Sequence, residues 1–172
     1  MSGSDRAGRT ATAALVRDRE RASSAIYGTI LVTAVIVALS EDPSASARDL
    51  AEAVATTTVV FWLAHAYSDY IGRRAATRDP ARWETIRLAL ARDVAMLASA
   101  VLPLVALLLG AAGTFTRNQA VTISLVIGMI ELFVGGFLAS RGPASNLLRS
   151  VTIGLFNCVL GLAIVVLKAL IH

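Results

Sequence analysis

A single cysteine, Cys158, occurs in the sequence, so no disulfide closes within the chain and no paired-cysteine metal site can be built. Charge is scarce as well. Asp, Glu, Lys and Arg make up 16% of the residues, against roughly 25% in ordinary soluble domains. Lysine is almost missing, with Lys168 alone among 16 basic residues. The signatures of common catalysts are missing too: there is no Gly-x-Ser-x-Gly elbow, no phosphate-binding P-loop and no His-Glu-x-x-His helix. These gaps argue against an enzyme and against any tightly bound cofactor.

The chain has apolar residues in their place. Hydrophobic residues reach 56% and the mean hydropathy is +0.67. They gather in five stretches, 22–39, 50–71, 94–113, 119–139 and 147–171, of 18, 22, 20, 21 and 25 residues. A membrane-crossing helix needs about 20 such residues at a 1.5 Å rise. Only 66 of the 172 residues remain outside these stretches, in pieces of at most 22. No piece of that size builds a soluble core of its own. The expected fold is an all-α integral membrane protein of five transmembrane helices. A short Arg-rich segment, 1–21, precedes a single domain, 22–172, and function has to lie in or between the helices.

The basic residues are divided unevenly. Residues 1–21, the loop 72–93 and the region 140–149 together carry 13 of them, whereas the alternate side has only Arg48, Arg117 and Lys168. Positive-inside bias then sets the N-terminus in the cytoplasm and the C-terminus outside, in a multi-pass cell membrane protein. Arginines beside the bilayer set topology and touch anionic lipid, and nothing about them suggests nucleic acid. The run ending Ala38-Leu39-Ser40 follows a long Arg-rich lead, which reads as a retained signal anchor rather than a cleaved peptide.

Local signals fill in the outline. Met1–Gly8 reads as mobile, Pro43 and its acidic neighbours as a turn, and Asp79-Pro80 as a helix stop. Trp83, Ile86, Leu88 and Leu90 alternate with charged residues, as in an interfacial lead-in to the third span. Trp62, Tyr67, Tyr70 and Trp83 cluster towards the inner side, and Pro103 sits inside the third span, where it permits a kink. Gly154 and Gly161 share a face, suited to packing within the bundle or to a dimer surface.

The candidate site consists of residues that hydrocarbon should not contain. His65 and Asp69, four apart, share a helix face, with Tyr67 and Ser68 at the same depth. Glu131 stands past the middle of the fourth span, where a charge costs at least about 2.5–3.5 kcal/mol, and Asn157 is similarly deep in the fifth. Asp69, His65 and Glu131 around one cavity would hold a divalent cation or relay a proton, since imidazole with carboxylates suits transition ions. Each also has a plainer reading. Asp69 can pair with Arg73 or Arg74, His65 can bond a backbone carbonyl or Glu131, and Glu131 can bond another helix or its own copy across a dimer axis.

Four short motifs resemble the vacuolar iron transporter family. They are Ala25-Ile26-Tyr27-Gly28 in the first span, Ser68-Asp69-Tyr70-Ile71 near the inner end of the second, Leu97-Ala98-Ser99-Ala100 with Leu102-Pro103-Leu104 in the third, and Ser150–Gly161 in the last. The resemblance implies five spans with a cytoplasmic N-terminus, in a homodimer that exchanges ferrous iron or manganese for protons along an acidic path. Asp69 matches the Glu that precedes Tyr in that family. The chain departs from the pattern at Thr29–Thr33, where the family carries an acid, and its 22-residue loop cannot supply the family's Glu- and Met-rich insertion. A small transporter or exchanger for a metal cation is the expected function, with the cation as substrate. A membrane scaffold or partner-binding protein is the alternative.

Overall fold

A computed structural model describes residues 3–77, 87, 90, 91, 93–141 and 146–171, with the backbone alone given for 3–20, 73–77, 164–165 and 167–171. Among the described residues the fold is all helical. It comprises α1 (Gly3–Ser40), α2 (Ala47–Thr77), α3 (Val94–Ala111), α4 (Arg117–Ala139) and α5 (Leu147–Ile171). Each apolar stretch of the sequence lies within one helix or runs only a residue or two past its end. α1 extends back to Gly3 through the segment expected to be mobile, continuing an Ala- and Arg-rich stretch of good helix formers. Trp83, Ile86 and Leu88 of the lead-in, Asp79-Pro80 and the arginine side chains of the 73–86 stretch lie outside the described residues.

By length and composition, three helices are apolar enough to cross a membrane among the described residues: Arg21–Ser40 of α1, α3 and α4. The corresponding run in α5, Leu147–Ala163, is shorter, and α2 is not among the three. Large apolar side chains point outward all the same. They include Val60 and Leu63 on α2, Leu102 and Leu108 on α3, Ile130 and Leu138 on α4, and Phe156 and Val159 on α5. Side chains of this size facing outward on every side suit lipid as the surrounding solvent.

α1 is the central helix, packed against α3 and α4, with α2 resting mainly on α3 and α5 mainly on α4. Glycines set these approaches. A Cβ on Gly28 would lie 2.8 Å from the Met96 carbonyl of α3, and one on Gly128 would lie 2.8 Å from the Thr33 hydroxyl of α1. Gly154 meets the Phe133 carbonyl of α4, and Gly161 meets Leu132 and Met129. The shared face of Gly154 and Gly161 is therefore used for packing inside the bundle. Pro103 is buried in α3, which continues through it, and its carbonyl accepts from Ser124 at 3.0 Å.

The two ends of the bundle differ. At the turn end, α1 passes to α2 and α3 to α4, above an apolar core of Val32, Ile36, Leu50, Val54, Leu107 and Ala120. α3 finishes in a Schellman arrangement, with Thr114 N–H bonded to Leu109 O, Gly113 N–H to Gly110 O, and Gly113 at φ +83°. Thr116 and Gln119 cap α4 reciprocally. Arg117 then reaches across, donating from Nε to Ala45 O at 2.6 Å and from Nη2 to Ser40 O and Asp42 O, each at 2.8 Å. A cation thus closes the C-terminal end of α1, where carbonyls lack helical partners.

Asp42 and Asp49 order the same turn. Hydrogen bonds from the Ser44 side chain and backbone hold the Asp42 carboxyl below its ordinary value, and those from Ser46 do the same for Asp49. A lowered folded value means that the stabilisation is complete above the ordinary value and fades as pH falls through the folded one. The Ser44 and Ser46 amide resonances should therefore hold steady at neutral pH and move only under acid conditions; movement at neutral pH would contradict these contacts. The glycine contacts make a paired prediction. Gly28→Ala should destabilise the bundle by about 1–3 kcal/mol through overpacking. Gly72, with nothing within 4 Å of its Cβ position, should tolerate Ala with a gain of about 0.5–1 kcal/mol. Thermal melts in detergent that rank the two variants the other way would overturn the packing assignment.

Candidate functional site

The polar residues collect at the end opposite the turns, the arginine end, where α1 separates two groups. On one side, His65 of α2 stacks on Tyr27 of α1 with ring centroids 5.9 Å apart and planes at 25°. Its Nε2 lies 3.9 Å from Oδ1 of Asp93, the residue just before α3. Asp93 Oδ1 accepts a hydrogen bond from the Ser24 hydroxyl of α1 at 3.0 Å. Asp93 is only 4% exposed, whereas the His65 side chain is half exposed. Trp62, one turn from His65 towards the turn end, donates to Leu90 O at 3.2 Å and fastens α2 to the chain entering α3.

Asp93 occupies the N-cap of α3, but its side chain makes no cap bond. An Asp at such a position ordinarily accepts from the first turn of its own helix. Here the carboxylate turns instead towards α1 and α2. The sequence reading missed Asp93 because it falls one residue outside an apolar stretch and looks like an ordinary helix start. The available signal was an acid directly abutting the apolar run Val94-Ala95-Met96-Leu97.

On the other side of α1, Glu131 of α4 is partly buried and its Oε2 is 3.3 Å from the hydroxyl of Thr29. Thr29 is 2% exposed, and the same hydroxyl donates to Ala25 O at 3.0 Å. A threonine hydroxyl has a single hydrogen and two lone pairs. That hydrogen is shared between Ala25 O and Glu131 Oε2, so Thr29 gives the carboxylate only a divided donor. Asn157 of α5 packs against Gly136 of α4, and Cys158 Sγ lies 3.4 Å from Met129 O.

The expected residues are thus distributed over different neighbours. His65 meets Asp93 and Tyr27, Glu131 meets Thr29, and Asn157 meets the backbone of α4. Asp69 is partly exposed one turn beyond His65, while Ser68 and Tyr67 are exposed, Tyr67 at 66%. Among the described residues no three His, Cys, Asp or Glu side chains gather as one metal-binding group. The arrangement offers two carboxylates, Asp93 and Glu131, each paired with a different hydroxyl of α1.

No protein-family model, curated protein or solved structure matches the chain. The geometry itself therefore has to carry the functional reading.

Removing the Ser24 hydroxyl would take a donor from a buried carboxylate. Ser24→Ala should cost about 1–3 kcal/mol of stability, and Ser24→Thr, which keeps a hydroxyl, should recover most of it. Equal melting temperatures for Ser24→Ala and the native chain would show that this bond does not hold Asp93.

Proposed function

We propose that this protein is a small membrane transporter or exchanger that moves a divalent metal cation against protons, acting in the cell membrane as a five-span homodimer with its N-terminus in the cytoplasm. The observation that carries the reading is Glu131, a carboxylate inside an apolar helix, turned to a buried threonine of α1. Ionisable groups at that depth are costly and mark ion or proton pathways. The Thr29 hydroxyl gives Glu131 only a hydrogen shared with Ala25 O, so an ionised carboxylate keeps most of its charge available to a cation.

The distribution of polarity supports the same reading. The apolar core occupies the turn end, while Asp93, His65, Asp69 and Glu131 occupy the arginine end. A cation entering from that end would meet Asp69 and His65 on α2 before reaching the buried carboxylates. The resemblance to the vacuolar iron transporters adds one point. That family carries an acid shortly after Tyr-Gly in its first helix; none stands at Thr29–Thr33 here, and Thr29 contacts a carboxylate supplied by α4. In mechanism, movement of α1 relative to α3 and α4 would open one carboxylate and close the other, with metal and proton taking turns at Glu131.

The second reading, a membrane scaffold that binds partners through its helices, predicts no flux at all. Proteoliposomes loaded at one pH and challenged with Mn2+ at another separate the two. Metal uptake with counterflow of protons is expected from the native chain. Glu131→Gln should reduce it at least tenfold, and Asp69→Asn should reduce it by a smaller factor. Absence of flux for several divalent ions, or flux unchanged in both variants, would reject transport in favour of the scaffold. Labelling of single introduced cysteines at positions 5 and 44 should reach opposite sides of the membrane if the orientation is right.

A further inference from the structure

The geometry points to a cation site made by Asp93, His65 and Ser24, distinct from Glu131, that takes a transition divalent ion at the arginine end of the bundle; this deepens the transport reading and rests on it. Asp93 is buried yet leaves its own helix uncapped, so its carboxylate is positioned for something other than closing α3. A carboxylate removed from water needs a positive partner or several hydrogen bonds. Its described side-chain partners are a neutral hydroxyl at 3.0 Å and an imidazole nitrogen at 3.9 Å. The second distance is too long for a hydrogen bond. It is close to the spacing of two ligands on one ion, which for bonds of about 2.1 Å in tetrahedral geometry is about 3.4 Å. A shift of roughly half an ångström, within reach of a half-exposed side chain, would bring both atoms onto one metal.

The surroundings fit that use. Tyr27 stacks on the imidazole and restricts its orientation, as a metal-binding histidine requires. The exposure of His65 gives an ion a way in, and the burial of Asp93 draws it inward. One imidazole nitrogen, one carboxylate and one hydroxyl form a donor set for Mn2+, Fe2+, Co2+ or Zn2+ rather than for Ca2+ or Mg2+, which favour oxygen alone. The three donors come from α2, the start of α3 and α1, so an ion held there ties together the helices whose relative motion transport needs. With two strong protein ligands and the remaining positions open to water, binding is exchangeable, which suits an ion in transit.

The test is Mn2+ binding to the full chain in lipid nanodiscs, followed by electron paramagnetic resonance of the free ion, with Co2+ absorption as a second probe. The native protein should bind one ion per chain with an imidazole ligand visible in the Co2+ spectrum. Asp93→Asn and His65→Gln should each weaken binding at least tenfold while keeping the native melting profile, and Glu131→Gln should leave this site intact. If Asp93→Asn proves unstable, His65→Gln, on a half-exposed side chain, decides the matter alone. No binding by the native chain, or binding unchanged in His65→Gln, overturns the site. Binding that is lost in both variants, in a protein that shows no flux, upholds the site and removes the transport reading instead. Flux that persists at the native rate in Asp93→Asn and His65→Gln overturns the site and leaves that reading standing.

Discussion

Everything else in the molecule depends on how closely α1 approaches α3 and α4. Gly28 lets the α3 backbone come against α1, and Gly128 does the same between α4 and α1. In hydrocarbon no hydrophobic effect drives helices together, so contact has to come from van der Waals fit and internal hydrogen bonds. Small residues provide the fit. The consequence is that Thr29, Thr33 and Val32 of α1 are almost completely enclosed, and any polar group facing them must find its partners inside the protein. Most do so locally, by bonding carbonyls one turn back, as Thr29, Thr58 and Ser124 do. Asp93 and Glu131 cannot satisfy a carboxylate in that way, and each reaches a hydroxyl of α1 instead.

A division of labour between the two ends follows from this packing. The turn end is fastened by a Schellman turn, a capping box and the three carbonyls held by Arg117, all above an apolar core. Among the described residues, the arginine end is tied by Trp62 to Leu90 O and by Ser24 to Asp93, and carries the half-exposed His65. Arg141 lies over the Phe137 ring at 4.7 Å there, placing its charge at the edge of the apolar belt. The exposed Arg48–Glu52 pair at the fixed end adds little, as exposed i,i+4 pairs do.

The helices were legible in the sequence because apolar runs of 18 to 25 residues leave few other folds open. The face of Gly154 and Gly161 was legible too, since spacing by seven puts both on one side, although only the structure assigns that side to α4. Partnership was far less legible. His65 and Asp69 share a face by spacing, but spacing within one helix says nothing of what stands opposite, and what stands opposite His65 is Asp93. Asp93 carries no local sign of burial, because a helix-start aspartate reads the same whether it caps its helix or faces a neighbour. The contact between Glu131 and Thr29 spans 102 positions and comes from two helices meeting at a glycine, a geometry that no short window of sequence contains.

The choice of residue at position 131 bears on function through its cost. If α4 only needed a hydrogen bond to Thr29, asparagine, glutamine or threonine would supply one without a charge. A carboxylate in the same place brings a penalty of at least about 2.5–3.5 kcal/mol whenever it ionises in the bilayer. The structural return is small, because Thr29 offers Oε2 only a hydrogen that it shares with Ala25 O. What the carboxylate adds over an amide is a second protonation state, with a negative charge available to a cation when the proton leaves.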